Sequence, residues 1–288
     1  MDVFNSINDV KAKISSKKLS GQTVGFVPTM GFLHEGHLKL IDQAKEENDV
    51  VVLSIFVNPL QFGENEDLDA YPRDEERDLT LAEQHGVDLV FFPTTETMYP
   101  QPLSLNISVV RRGDVLCGKS RPGHFEGVVT ILTKLFNICQ PDRAYFGRKD
   151  AQQVAVVDAL IEDFNFPIEL VAVDTVREAD GLAKSSRNVN LSDKEREEAP
   201  SIQEALQYGK ELIERGKDLP AAVLQKTRQF LENKTRGKID YIELLSYPEL
   251  EPLEKIDRQV ILAIAVFYER ARLIDNVILN EASLDKGN

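Results

Sequence analysis

The sequence predicts an α/β protein: a Rossmann-like, doubly wound parallel sheet domain followed by a second, smaller α+β C-terminal domain. Short apolar runs of strand length alternate with amphipathic stretches of helix length as far as Asp174. One of these runs, VVVLSIFV from Val50 to Val57, is apolar on both faces of the period-two pattern, as an interior parallel strand covered on both sides must be. After Leu191 the order changes to helices followed by neighbouring strands.

The elements follow in order. TVGFVPT, Thr23 to Thr29, is a β-type run, and Leu38, Leu40, Ile41 and Ala44 stripe a helix from Gly36 to about Glu47. A helix from about Asp74 to His85 precedes the strand DLVFFP, Asp88 to Pro93. The series resumes with a helix from about Glu126 to Cys139, a strand around Ala144 to Phe146, a helix from Ala151 to Asp163 and the strand IELVAVD, Ile168 to Asp174. A polar loop from Glu178 to Leu191 leads to a charged helix capped by Ser192 and interrupted near Pro200. A further helix follows Asp218, and strands are expected near Lys238 to Ser246, Gln259 to Phe267 and Leu273 to Leu279. The domain boundary falls near Val176, giving residues 1–176 and 177–288, the second expected to act as a lid.

Composition sets the outer limits. The 288 residues are 42% hydrophobic and 28% charged, an ordinary globular mixture that needs no disulfide or metal to build a core. With 34 Lys and Arg against 48 Asp and Glu, the net charge of −14 repels polyanions and argues against nucleic acid as a partner. The longest apolar runs, Val50 to Val57 and Val260 to Phe267, fall far short of the roughly 20 residues a membrane helix needs. The only cysteines, Cys117 and Cys139, suit a reducing compartment, and the first residues lack the apolar core of a secretory signal, so the expected location is cytoplasmic.

Chemistry concentrates in GFVPTMGFLHEGHLKL. The strand ends at Pro28 and Thr29, the turn runs through Met30, Gly31, Phe32 and Leu33, and the helix opens around His34, Glu35, Gly36 and His37. A strand end facing a helix N-terminus across glycines is where open α/β sheets bind phosphates. His34 and His37 are spaced to share a helix face and donate to phosphate oxygens. The ordinary reading, two surface histidines after a turn, competes with the fact that the chain has only four histidines and a third, His124, lies in another glycine-flanked motif. No acidic or thiol cluster completes a metal site around the pair, and neither a P-loop nor GxGxxG follows any strand. FGRKD, Phe146 to Asp150, repeats the strand-end geometry, although a lone Lys-Asp pair there is ordinarily a surface ion pair.

The HEGH box, as HxGH, is the signature of the nucleotidylyltransferase superfamily. Taken with FVNPLQFGENEDLDAYPRD from Phe56, RPGHFEGVVTILTKLFNICQPDRAYFGRKDAQQ from Arg121, VREADGLAKSSRN from Val176 and RLIDN from Arg272, the chain resembles the pantoate–β-alanine ligase family over nearly its whole length. The resemblance implies an ATP-dependent ligase, with Mg²⁺, that joins pantoate to β-alanine through a pantoyl adenylate and releases AMP and pyrophosphate.

It also implies roles. Pro28 to His37 would form part of the ATP site, with His34 and His37 on the phosphates and His37 the residue the family describes as proton donor. Gly147, Arg148, Lys149 and Asp150 would meet the nucleotide, Lys149 as a point charge and Asp150 on ribose. Val176 would lie against adenine, and Lys184, Ser185, Ser186 and Arg187 would form a second phosphate-binding segment. Gln61 and Gln153 match the pantoate-binding glutamines, Gln61 also near β-alanine, while Tyr71 would cover pantoate and Arg121 and His124 would face the cleft or brace it. A neutral amide holds a carboxylate without blunting its attack. Asp78 lies near the position where some relatives hold Mg²⁺, and no protein ligand for the ion is assigned. Many members have Met where Lys184 stands, and Cys117 stands where Glu often precedes the glycine. The resemblance implies a homodimer; the apolar strand around Phe56 is one surface that could contribute, and one sequence leaves the pairing surface open.

Two other readings stay open on the residues alone. Another HxGH nucleotidylyltransferase would transfer AMP to a phosphorylated acceptor, and would want extra Arg or Lys where Gln61 and Gln153 stand. A silent nucleotide-sensing module would bind ATP without turnover.

Overall fold

The computed structural model describes residues 1–63, 68–69, 71–216 and 219–280. In chain order the main elements are β1 (Asp2–Phe4), α1 (Ile7–Leu19), β2 (Val24–Thr29), α2 (Glu35–Glu47), β3 (Val50–Ile55), α3 (Glu75–Gln84), β4 (Leu89–Phe91), α4 (Thr95–Met98), α5 (Leu116–Ser120), α6 (His124–Cys139), β5 (Arg143–Gly147) and α7 (Ala151–Asp163). They continue with β6 (Glu169–Val173), α8 (Asp193–Glu198), α9 (Ser201–Glu214), α10 (Pro220–Glu232), β7 (Lys238–Ser246), β8 (Val260–Phe267) and β9 (Arg272–Leu279). Asp218, expected to precede α10, and residues 64–67 and 70 of the loop after Phe56 lie outside the described residues.

The chain divides into two compact units. The first comprises 1–113, 121–148 and 156–174, and the second 114–120, 149–155 and everything from Thr175 onward.

In the first unit six strands form a wholly parallel sheet in the order β1-β4-β3-β2-β5-β6. The chain lays β3 and β4 to one side of β2, then returns to place β5 and β6 on the other. The order therefore reverses between β2 and β5, which is where sheets of this kind open a crevice at the carboxyl ends of their strands. Those ends are Thr29 and Gly147. The composition of β3 explains its place: every residue from Val50 to Ile55 is buried, with Val51, Leu53 and Ile55 packed beside Leu40, Ile41 and Ala44 of α2. Phe56 is only 6% exposed. The strand expected to contribute a dimer surface is thus interior to its sheet, paired with β2 on one edge and β4 on the other. The sequence pattern did not reveal β1 and α1. A three-residue, largely exposed edge strand and a helix burying only Val10 and Ile14 leave little periodic signal.

In the second unit β7, β8 and β9 form an antiparallel sheet. The unbroken apolar run of β8 is required by two covered faces. Val260, Leu262, Ile264 and Val266 join the core under α9 and α10, whereas Ile261 and Ala263 join a second cluster with Leu116 of α5 and Ala151 and Ala155 of α7. Ser192 and Glu195 form a reciprocal cap at the start of α8, and Pro200 separates α8 from α9. The loop expected from Glu178 to Leu191 is more regular than its polar composition suggests. Glu178 N–H donates to Leu182 C=O at 2.7 Å and Lys184 N–H to Val176 C=O at 2.9 Å, a small hairpin that turns at Gly181 with φ +93°.

Candidate functional site

In the first unit, β2 ends in a buried Thr29 whose hydroxyl donates to Ser54 C=O at 2.8 Å and accepts from Gly31 N–H at 3.2 Å. Gly31 (φ +83°) and Phe32 (φ +50°) then take left-handed backbone in succession. That conformation suits Gly31 and is strained for Phe32, so something must hold it. The holder is Asp78, in the first turn of α3 and 2% exposed, whose carboxylate accepts from Phe32 N–H and from Leu33 N–H, each at 2.7 Å. A Cβ added at Gly31 would lie 2.9 Å from Asp78 Oδ2, so only glycine lets the carboxylate approach this closely. Arg77 adds a guanidinium 3.8 Å from Asp78 Oδ1 and 5.4 Å from the centre of the Phe32 ring. Burial pushes the Asp78 carboxyl above its ordinary range, against the pull of the two backbone donors.

The turn delivers His34 as the N-cap of α2 and His37 into its first turn. Their rings lie 4.1 Å apart. His34 Nδ1 accepts from Gly36 N–H at 3.1 Å, and His37 Nδ1 accepts in a longer contact from His34 N–H at 3.4 Å. Two imidazoles here occupy the positions of a capping box. Because both Nδ1 atoms serve as acceptors, each neutral ring carries its proton on Nε2, the edge the cap does not use. The arrangement therefore suits donation to an anion at the helix N-terminus, where the backbone dipole also favours negative charge.

The second cluster of this unit surrounds Gln61, which is 9% exposed. Its Nε2 donates to Met30 Sδ at 3.1 Å, tying it to the HxGH turn, and its Oε1 accepts from Asn58 Nδ2 at 3.2 Å. Asn58 is fully engaged: Nδ2 also donates to Gly127 C=O at 3.1 Å, and Oδ1 accepts from Tyr99 O–H at 2.9 Å. His124 and Arg121, expected to face the cleft or brace it, hold the backbone of Gln61. Arg121 Nη1 donates to His124 Nε2 at 3.0 Å, so His124 Nδ1–H donates to Gln61 C=O at 2.9 Å. Tyr71 is buried with its ring edge-on to Phe62, 6.0 Å between centres.

Sequence reasoning passed over Asn58 and Gly127. Asn58 follows a strand end and precedes Pro59, which was its only local signal. Gly127 shows its purpose only in three dimensions, since a Cβ there would overlap the Leu60 carbonyl. Gly127→Ala is accordingly expected to destabilise the protein by about 1–3 kcal/mol through overpacking. A thermal melt checks this, and an unchanged midpoint would show that the turn at Pro59 to Gln61 yields freely.

The second unit carries the remaining candidates. Lys149 Nζ lies 3.7 Å from Asp150 Oδ2 and its side chain is 20% exposed; Gln153 is half-buried in the first turn of α7. Lys184 Nζ is ion-paired with Glu178 at 2.9 Å, so its charge is spent on a carboxylate and its backbone on Val176. Ser185 Oγ accepts from Arg187 N–H at 3.3 Å and caps the short turn Ser186–Asn190. In the first unit, Arg148 likewise pairs with Asp174 at 2.9 Å. Among the described residues no group of three or more His, Cys, Asp or Glu side chains is arranged to hold a metal ion, and no helix is long and apolar enough to cross a membrane.

The solved structures similar to this chain share its architecture. A pantothenate synthetase from Thermus thermophilus superposes with a TM-score of 0.90 at 42% identity, covering 96% of this chain and 99% of that one. A pantoate-beta-alanine ligase from Francisella tularensis, complexed with beta-gamma ATP and beta-alanine, gives a TM-score of 0.79 at 35% identity over 96% and 97%. With this likeness the chain is an enzyme of the ligase class built on a doubly wound parallel sheet with a small antiparallel C-terminal sheet.

The pantothenate synthetase of Geobacillus sp. (strain WCH70) is 59% identical over 97% of this chain and 99% of its own length. That of Bacillus subtilis (strain 168) is 57% identical over 99% and 100%. The family model for pantoate-beta-alanine ligase matches residues 2–278, and the chain belongs to that family, whose members form pantothenate.

Proposed function

We propose that this chain condenses pantoate with β-alanine at the expense of ATP, through a pantoyl-adenylate intermediate. The observation that carries the reading is the HxGH turn at the carboxyl end of β2, with two imidazoles presenting Nε2–H at a helix N-terminus, in a chain of this family. In the first step a pantoate carboxylate oxygen attacks the α-phosphorus of ATP, the bond to the bridging oxygen breaks, and pyrophosphate leaves. In the second the β-alanine amine attacks the acyl carbon, the carbon–oxygen bond to AMP breaks, and the amine gives up a proton.

The chain's residues support each step by holding charge. His34 and His37 donate to phosphate oxygens as negative charge moves toward the leaving group, which makes the role assigned to His37 one of hydrogen bonding before proton transfer. Lys149 adds a point charge, and Asp150, Val176, Ser185, Ser186 and Arg187 are read as further nucleotide contacts. Gln61, already tied to Met30, and Gln153 hold pantoate through amides that leave its carboxylate nucleophilic. Both oxygens of Asp78 accept from backbone, and among the described residues no group of three or more His, Cys, Asp or Glu side chains is arranged to hold an ion. Mg²⁺ is read as the companion of the nucleotide phosphates, because it dehydrates reluctantly and binds through phosphate oxygens.

The relevant assay measures pyrophosphate release from ATP, Mg²⁺ and pantoate, followed by addition of β-alanine. A stoichiometric burst, then sustained AMP and pantothenate only after β-alanine, is the expected result. Folded protein that gives neither overturns the reading. Gln153→Ala is expected to raise the pantoate requirement more than the ATP requirement, and equal effects in steady-state kinetics would remove Gln153 from the pantoate site. A cytoplasmic homodimer completes the proposal. Light scattering should give twice the chain mass of 32.4 kDa, and a monomer mass at assay concentration would overturn the dimer.

A further inference from the structure

The RLIDN segment, Arg272 to Asn276, has no role in the reaction described above, yet two adjacent residues in it reach two separate candidate nucleotide-binding segments. Neighbouring residues on a strand point to opposite faces. From β9, Asp275 goes to the hairpin at 176–184. It is 4% exposed and accepts from Arg177 through both guanidinium nitrogens, Nη1 to Oδ2 at 2.6 Å and Nη2 to Oδ1 at 3.0 Å. Arg177 Nη1 also donates to Gly181 C=O at 3.1 Å, closing the hairpin's turn. Asn276 goes the other way, and its Nδ2 donates to the backbone C=O of Lys149 at 3.0 Å.

We propose that Asp275 and Asn276 are positioning residues for ATP: one strand sets the backbone of Lys149 and the Val176 hairpin in a common frame. This rests on the ligase reading given above. Gripping the carbonyl of the residue whose side chain acts restricts its backbone and so aims its ammonium. A planar, two-bonded carboxylate–guanidinium pair fixes orientation as well as distance. Both contacts originate from consecutive backbone positions of a paired strand, so neither segment shifts without straining β9 against β8. Misplacement of a catalytic group by as little as an ångström costs up to about a hundredfold in rate, which makes such support worth building.

A merely structural hydrogen bond would lower stability and leave the rate per folded enzyme unchanged. The test is a double-mutant cycle read by pyrophosphate release from ATP and pantoate, per folded enzyme, with ATP affinity measured in parallel by calorimetry. Asn276→Ala is expected to slow release by about tenfold or more. Combined with Lys149→Ala it should add little further loss, because the side chain it aims is gone. Asp275→Asn is expected to raise the ATP requirement and leave the β-alanine requirement unchanged. Multiplicative losses in the double variant, or an Asn276→Ala enzyme with normal rate and normal ATP affinity, would overturn the proposal. Asn276→Ser serves as the second variant if alanine impairs folding. Wild-type protein that binds ATP without releasing pyrophosphate would defeat the ligase reading alone, and the affinity cycle would then still decide the positioning role.

Discussion

Replacing Lys149 by alanine is expected to slow pyrophosphate release by about a hundredfold or more, on the scale of losing one preorganised donor to a developing charge. The expectation rests on where the residue stands. It follows directly on the strand end at Gly147 and the exposed Arg148, and its side chain is mostly sheltered, at 20% exposed. The carboxylate of Asp150 stands 3.7 Å from its ammonium, too far for a tight ion pair to neutralise it. Lys184, by contrast, is held at 2.9 Å by Glu178, so its removal should cost much less. Lys149→Arg should recover only part of the loss, because a planar fork replaces a compact ammonium. Single-turnover measurement with pantoate and ATP reads this directly, and near-normal release from folded Lys149→Ala protein would exclude the residue from the chemistry.

The second large effect is expected at Asp78. Asp78→Ala leaves the buried Leu33 N–H and the part-buried Phe32 N–H without their acceptor in a strained turn, at a cost of about 1–3 kcal/mol for the buried group. The turn should relax and carry His34 and His37 out of register, weakening ATP binding even with Mg²⁺ chelated. A metal-ligand role for Asp78 predicts the opposite pattern: unchanged affinity in chelator and a raised Mg²⁺ requirement in turnover. Calorimetry with and without chelator separates the two.

Asp78 also predicts a pH effect. Because burial raises its carboxyl, the acceptor form of the clamp is lost as pH falls through a value above the usual aspartate one. Pyrophosphate release should show an acid limb there that Asp78→Asn lacks. Folding stability runs the other way. The native state holds this proton more tightly than the unfolded chain does, so the group's contribution is full below the unfolded pKa and lost as pH rises through the folded one.

Much of this site was legible along the chain, because its parts are local. Glycine at 31 and 36, a strand run ending at Thr29 and a helix stripe from Leu38 mark a strand–turn–helix without any tertiary knowledge, and α7 and β7 fall where their periodicity places them. The continuous apolar run from Val50 marked β3 as a strand covered on both faces, and every residue from Val50 to Ile55 is buried. Hydrophobic periodicity records how many faces of an element are buried, and cap and turn residues record where it stops.

What only the tertiary structure decided lies in contacts between residues far apart in sequence. Asp78 reaches Phe32, Gln61 reaches Met30, Asn58 reaches Gly127 and Asn276 reaches Lys149. The order β4-β3-β2-β5, which puts the reversal at β2, and the grouping of 114–120 and 149–155 with the second unit are of the same kind. So is the burial of Phe56, which an apolar run alone cannot distinguish from an exposed patch. A polar side chain carries its chemistry in its identity, but whether it meets a ligand or a neighbour's backbone depends on which strand lies beside it. That choice is made by packing the whole chain.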